Sequence, residues 1–322
     1  MLQDSFGRRF YYLRLSITDV CNFRCTYCLP EGYKGLPEDA FLSAPEISKT
    51  VQAFAKLGTE KVRITGGEPS LRKDLPDIIS SIKATSGIKK VALTTNGYKL
   101  DKNIHEWHRS GLDQLNVSID SLDKKTFKSV TGHDRIDEIM AGIESAISLG
   151  IKVKVNAVLM KGVNDNLSPI FEWLKSNPAT FRFIEVMETA DQDVFFRQYH
   201  RSGGAIKQQL LDDNWQSVIQ DQAAGPAQEF WHPDYKGRMG LIMPYSKDFC
   251  ATCNRLRVSS LGKMHLCLFA EQGVDLRPFL APNIPIETLI EAIQGHVSDK
   301  KLGHDLLNHN SGAMQNLSQI GG

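Results

Sequence analysis

No segment of the 322-residue chain approaches the roughly 18 consecutive apolar residues that a membrane span needs. The N-terminal stretch MLQDSFGRRFYYLRLSITD also lacks the uninterrupted apolar core of a secretory signal, so a cytoplasmic location is expected. Excess charge of either sign is missing: 38 basic against 37 acidic residues leave a net +1, too weak a field to attract nucleic acid or an anionic membrane surface. Any anionic ligand must therefore meet a local cluster of Arg and Lys. No low-complexity tract stands out, and no repeat beyond an alternation of strand and helix patterns. Isolated cysteines are missing too: all six fall into two groups, at 21, 25 and 28 and at 250, 253 and 267, with none left as a lone core thiol. In a reducing cytosol such grouping favours metal binding or catalysis over disulfides.

What is there begins with that alternation. The apolar runs YYLRLSI, KVRIT, KKVALTT, DQLNVSI, IKVKVNAVLM and FRFIEVM read as parallel strands. Between them lie helical patterns such as SAPEISKTVQAFAKLG, with Ser43 as a candidate cap, and DEIMAGIESAISLG, closed by Gly150. Six βα units over the first 190 or so residues predict an α/β fold built on an incomplete parallel (β/α)6 barrel resembling a TIM barrel, with function at the C-terminal strand ends. Near residue 200 the rhythm gives way to shorter strand patterns, GLIMP, LRVSS and MHLCL, and a late amphipathic helix in IPIETLIEAIQGHVSDKK. The expected division is a barrel region over 1–200 and a C-terminal region over 201–322 that carries the second cysteine group.

The first group, CNFRCTYC, spaces Cys21, Cys25 and Cys28 so that three thiolates can converge on one metal cluster. Structural zinc prefers two CxxC knuckles, so a trio without a fourth ligand points to a four-iron cube with one iron left open. One βα unit later stands RITGGEPSLR, where two glycines allow close approach of the backbone to a ligand and Pro69 fixes the turn. The second group, Cys250, Cys253 and Cys267 in CATCNRLRVSSLGKMHLC, again offers three ligands rather than four, which argues for a second cube.

These motifs resemble the radical S-adenosylmethionine (SAM) superfamily. With CATCNRLRVSS, LCLF and a terminal Gly-Gly, the whole chain is similar to the GTP 3′,8-cyclase family within it. The resemblance implies two [4Fe-4S] clusters and SAM as cofactors, with SAM held by Tyr27, Gly67, Ser118 and Met187. It implies GTP as substrate, bound by Arg14, Arg63, Thr94, Lys154, Arg255, Leu256 and Arg257. Guanidinium groups suit that role because they grip phosphate through two parallel hydrogen bonds. Catalytic roles fall, on the same ground, to Arg255, Arg257 and the terminal Gly321 and Gly322.

The reaction so implied starts with reductive cleavage of SAM to a 5′-deoxyadenosyl radical. Removal of the ribose 3′ hydrogen of GTP, attack of C3′ on C8 and further reduction by one electron and a proton give 3′,8-cyclo-7,8-dihydro-GTP, the first step of molybdenum cofactor biosynthesis. Implied partners are an electron donor such as a flavodoxin or ferredoxin and, downstream, cyclic pyranopterin monophosphate synthase; the chain is expected as a monomer or homodimer, without nucleic acid or membrane partners. Two alternatives remain open: a peptide-modifying radical SAM enzyme with an auxiliary cluster, although such enzymes usually carry more than six cysteines, and a zinc-stabilised binding module.

Overall fold

The computed structural model describes residues 1–189, 193–219, 224–247, 249–270 and 272–312. Six strands form the first series: β1 (Tyr12–Ser16), β2 (Lys61–Thr65), β3 (Lys90–Thr95), β4 (Gln114–Ser118), β5 (Lys152–Leu159) and β6 (Thr180–Glu185). Between them run α1 (Ala44–Lys56), α2 (Leu75–Ala84), α3 (Leu100–Arg109), α4 (Lys124–Thr131), α5 (Ile136–Ser148) and α6 (Ser168–Ser176). Every apolar run read as a strand is one. Ser43 precedes α1 as expected, its N–H and hydroxyl both donating to the Glu46 carboxylate at 2.8 Å. Gly150 follows α5 with φ +77°, the left-handed turn that glycine adopts without strain.

After β6 come α7 (Asp193–Tyr199), α8 (Gly204–Asp212), β7 (Gln216–Ser217), β8 (Gln228–Trp231), β9 (Arg238–Ile242), β10 (Arg255–Val258), β11 (Lys263–His265), β12 (Val274–Asp275) and α9 (Ile286–Val297). The sheet order is β12-β11-β10-β1-β2-β3-β4-β5-β6-β9-β8-β7. The C-terminal region therefore extends the barrel wall at both edges: β9 pairs parallel with β6, and β10 pairs parallel with β1. Antiparallel β8 and β11 continue outward on each side. Among the described residues β9 and β10 do not pair, so the barrel stays open between them.

Each wall strand alternates with a period of two. Leu13 and Leu15, Val62 and Ile64, Val91 and Leu93, Leu115 and Val117, Phe181 and Phe183, and Leu256 and Val258 face the helices and are buried in one core cluster. The intervening positions carry Arg14, Arg63, Thr94, Ser118, Asn156, Arg182, Arg255 and Arg257, and these line a central cavity. The core thus sits between sheet and helices, and the lumen is left to polar chemistry.

Candidate active site

The lumen opens at the strand ends into one cavity lined by all six cysteines, and none of them is in a disulfide. The loop bearing the first trio is held from two sides. Arg24 N donates to Thr131 O at 3.1 Å and Thr26 N to Val130 O at 3.0 Å, while the Phe23 ring stacks on His133 with centroids 4.4 Å apart. His133 Nε2 donates to the Asn22 carbonyl at 2.8 Å.

The glycine-rich loop after β2 packs under the same segment. A Cβ on Gly66 would lie 2.3 Å from Thr18 O, and one on Gly67 would lie 2.4 Å from both Asp19 O and Val20 O. Only glycine permits that approach, which Gly67 N and Glu68 N use to donate to Thr18 O and Val20 O at 2.8 Å. Fully buried Glu68 then accepts from Ser70 N (2.9 Å), Thr95 Oγ1 (2.7 Å) and Asn96 N (2.6 Å), and Asn96 Nδ2 reaches Asn22 Oδ1 at 2.9 Å. The loops after β1, β2 and β3 thereby form one braced rim.

Of the proposed SAM contacts, Tyr27, Gly67, Ser118 and Met187 all line the cavity. Tyr27 is pinned: its hydroxyl donates to Asp120 Oδ2 at 3.0 Å, and Asp120 Oδ1 accepts from Val158 N at 2.8 Å. Burial pushes the Asp120 carboxyl up to about 6. At the second trio burial pushes the Cys253 thiol up, but Arg255, 3.9 Å from its sulfur, and Lys300 together bring it down to about 7.

The cations are concentrated on the same lumen. Arg14, Arg63, Arg182 and Arg257 are 8%, 6%, 3% and 6% exposed, and half-buried Arg255 stands beside them. Burial, reinforced by neighbouring guanidinium groups, lowers all four: Arg182 and Arg257 to about 10, Arg63 from its ordinary value, and Arg14 well below it. Nearby, Arg63 Nε, Thr94 Oγ1 and Tyr12 OH are buried without a hydrogen-bond partner among the described residues. Such a lumen suits a polyanion with many acceptor oxygens.

Two of the expected GTP residues, Lys154 and Leu256, are not among the residues lining the cavity. Lys154, on β5, is turned to the Glu229 carboxylate on β8 and does not line the cavity. Leu256 is buried in the core on the helix-facing side of β10, between the two lumen arginines. Gly321 and Gly322 lie outside the described residues. Sequence reasoning missed Arg182, Asp120 and Glu68; Arg182 could have been found from its strand parity, since it alternates with buried Phe181 and Phe183.

The cysteine spacing, the single cavity shared by the thiols and the glycine-rich rim fit a cluster with one open iron and a nucleoside cofactor. A partial parallel barrel with such a rim defines a radical SAM protein. Consistent with this, the Radical SAM superfamily model matches residues 15–174, and a second model, Molybdenum Cofactor Synthesis C, matches residues 179–306.

Among curated proteins, GTP 3′,8-cyclase of Yersinia pestis is 54% identical over 323 residues, covering 100% of this chain and 99% of that one. The GTP 3′,8-cyclase of Vibrio parahaemolyticus is 54% identical over 324 residues, covering 99% and 97%. The chain belongs to the GTP 3′,8-cyclase family. Among solved structures, Streptococcus suis SuiB bound to S-adenosylmethionine aligns with a TM-score of 0.62 at 14% identity, over 91% of this chain and 68% of that one. SuiB bound to precursor peptide SuiA aligns with a TM-score of 0.59 at 15% identity, covering 92% and 66%; both likenesses are of fold alone.

Proposed function

We propose that this chain converts GTP to 3′,8-cyclo-7,8-dihydro-GTP in the cytoplasm, the first step of molybdenum cofactor biosynthesis. The observation that carries the proposal is the convergence of five arginines, four of them buried, and two cysteine trios on one lumen. Cys21, Cys25 and Cys28 would hold one four-iron cluster, with Tyr27, Gly67, Ser118 and Met187 around SAM. Cys250, Cys253 and Cys267 would hold the second. When bound, the first cluster and SAM supply the radical that takes the ribose 3′ hydrogen.

The chain's own part is position. Arg14, Arg63, Arg182, Arg255 and Arg257 hold the triphosphate, and Thr94 offers its hydroxyl. Lys154, paired with Glu229, acts on the triphosphate by its charge rather than by direct contact. Facing strands fix the ribose near the SAM rim, since a misplacement of ~1 Å costs ~100-fold in rate. The terminal Gly321 and Gly322 complete the site. An electron donor of the flavodoxin or ferredoxin kind and cyclic pyranopterin monophosphate synthase are the proposed partners. The chain acts as a monomer or homodimer, with residues 1–200 supplying the SAM half and 201–322 the second-cluster half.

The test is anaerobic: reconstituted protein, reductant, SAM and GTP, with 5′-deoxyadenosine and cyclised nucleotide quantified separately. Roughly eight irons per chain and cyclised product are expected, each trio contributing about half the iron. Alanine at both Gly321 and Gly322 should spare iron content and GTP binding while cyclisation collapses. Stoichiometric zinc without iron, or SAM cleavage with GTP left unchanged, would refute the reading.

A further inference from the structure

The two ends of the described chain meet behind the second cysteine trio. Arg8, just before β1, is buried, and its Nε donates to buried Asp4 Oδ2 at 2.7 Å. Its Nη1 donates to Cys250 O at 3.1 Å and Leu302 O at 2.6 Å, and its Nη2 to Lys301 O at 2.7 Å. Buried Lys300 donates to the carbonyl of Leu266, the residue before Cys267, and lies 5.7 Å over the Phe10 ring. Residues 300–302 are thus tied to both arms of the trio, to Cys250 through Arg8 and to the segment that carries Cys267 through Lys300.

Neither cation lines the substrate cavity, so a triphosphate does not account for them. Arg8 has Asp4 to balance it. Lys300 has no carboxylate partner among the described residues, and its ammonium is fixed at the Leu266 carbonyl, one residue from Cys267. A lysine buried without a carboxylate is costly, and negative charge on the neighbouring Cys267 sulfur, as in cluster ligation, offsets that cost.

We propose that Arg8 and Lys300 are positioning residues of the second cluster: Arg8 fixes the main chain that presents Cys250, and Lys300 places a positive charge beside the cluster that favours its reduced state. The inference rests on the reading of the second trio as a four-iron site.

The test uses the full chain with Cys21, Cys25 and Cys28 changed to Ser, so that any iron–sulfur signal comes from the second trio. Lys300→Gln keeps a donor for the Leu266 carbonyl and loses the charge. It should retain about four irons, while the midpoint potential, followed by electron paramagnetic resonance, moves to a more negative value. Lys300→Arg should restore the parent potential. Arg8→Lys keeps the charge and loses the fork to three carbonyls, so a chelator should strip its iron about tenfold faster. A Lys300→Gln protein with full iron and an unmoved potential overturns the electrostatic role, and parent-like chelator resistance in Arg8→Lys overturns the clasp. A background protein that takes up no iron overturns the second-cluster reading itself, and this proposal with it.

Discussion

Arg14 on β1 and Arg257 on β10 are direct register partners on adjacent parallel strands, and both are buried. The next partner of Arg14 on the other side is Arg63 on β2. Three guanidinium groups in one row across three strands raise the energy of the ligand-free lumen, because each is desolvated beside others of the same sign. An anion relieves that repulsion, so ligand binding and apo stability pull against each other here.

Arg257→Ala should therefore weaken GTP binding by one to several orders of magnitude, from the ~2–5 kcal/mol typical of truncating one partner of a buried charge pair. The same change should leave the thermal midpoint of the nucleotide-free protein unchanged or higher. Calorimetric titration with GTP and a melting curve check the two halves. Unaltered affinity would remove Arg257 from the phosphate site.

Much of this arrangement was legible in the chain. The six first strands follow from apolar runs such as KVRIT, which β2 reproduces residue for residue, and the cysteine and glycine motifs fall on strand ends because a parallel barrel puts its loops there. Less legible was everything set by contacts distant in sequence. Lys154 finds Glu229 75 residues away, and Arg8 finds Cys250 242 residues away. Nothing local announces either pairing. Glu68 read as part of a turn, and only the fold shows it bridging the loops after β2 and β3. The lumen position of Arg182 needed strand parity, which the apolar character of FRFIEVM concealed.

Gly67→Ala tests the close approach at the rim. The added methyl would meet two carbonyl oxygens at 2.4 Å, and these belong to backbone rather than to a side chain that could swing away. Overpacking of this kind costs ~1–3 kcal/mol. Displacement of the Asp19–Val20 segment should carry Cys21 with it, so iron per chain should drop toward half while the second trio keeps its share. A variant with parent iron content and parent melting point would show that the rim yields more easily than its backbone contacts suggest.

Glu68 accepts three hydrogen bonds at a fully buried position. Glu68→Ala strands the Thr95 hydroxyl and two backbone N–H groups, each costing ~1–3 kcal/mol when buried without an acceptor. Glu68→Gln keeps one carbonyl oxygen and should fall between parent and alanine variant. Urea midpoints in that order are expected; a Gln midpoint equal to the parent's, with Ala alone lowered, would mean that shape rather than the carboxylate's hydrogen bonding holds the loops together.

Lys154 makes stability depend on pH in a direction that can be worked out beforehand. Burial, with Arg182 next to it, pulls its ammonium down to about 7 in spite of Glu229. In the unfolded chain the same group titrates near ~10.4. Between about pH 7 and 10 the unfolded chain holds a proton that the folded chain has released, so this group makes stability rise with pH across that window. Replacing the pair together, Lys154→Met with Glu229→Gln, removes the titration without leaving a buried charge alone. Urea midpoints of the anaerobic protein at pH 7, 8 and 9 should climb more steeply in the parent than in the double variant. A triphosphate near Arg182 favours the charged lysine, so GTP should stabilise the parent more at pH 7 than at pH 9, and the variant should lose that difference. Parallel slopes in the two proteins would place the lysine at its ordinary value and remove it from the electrostatics of the lumen.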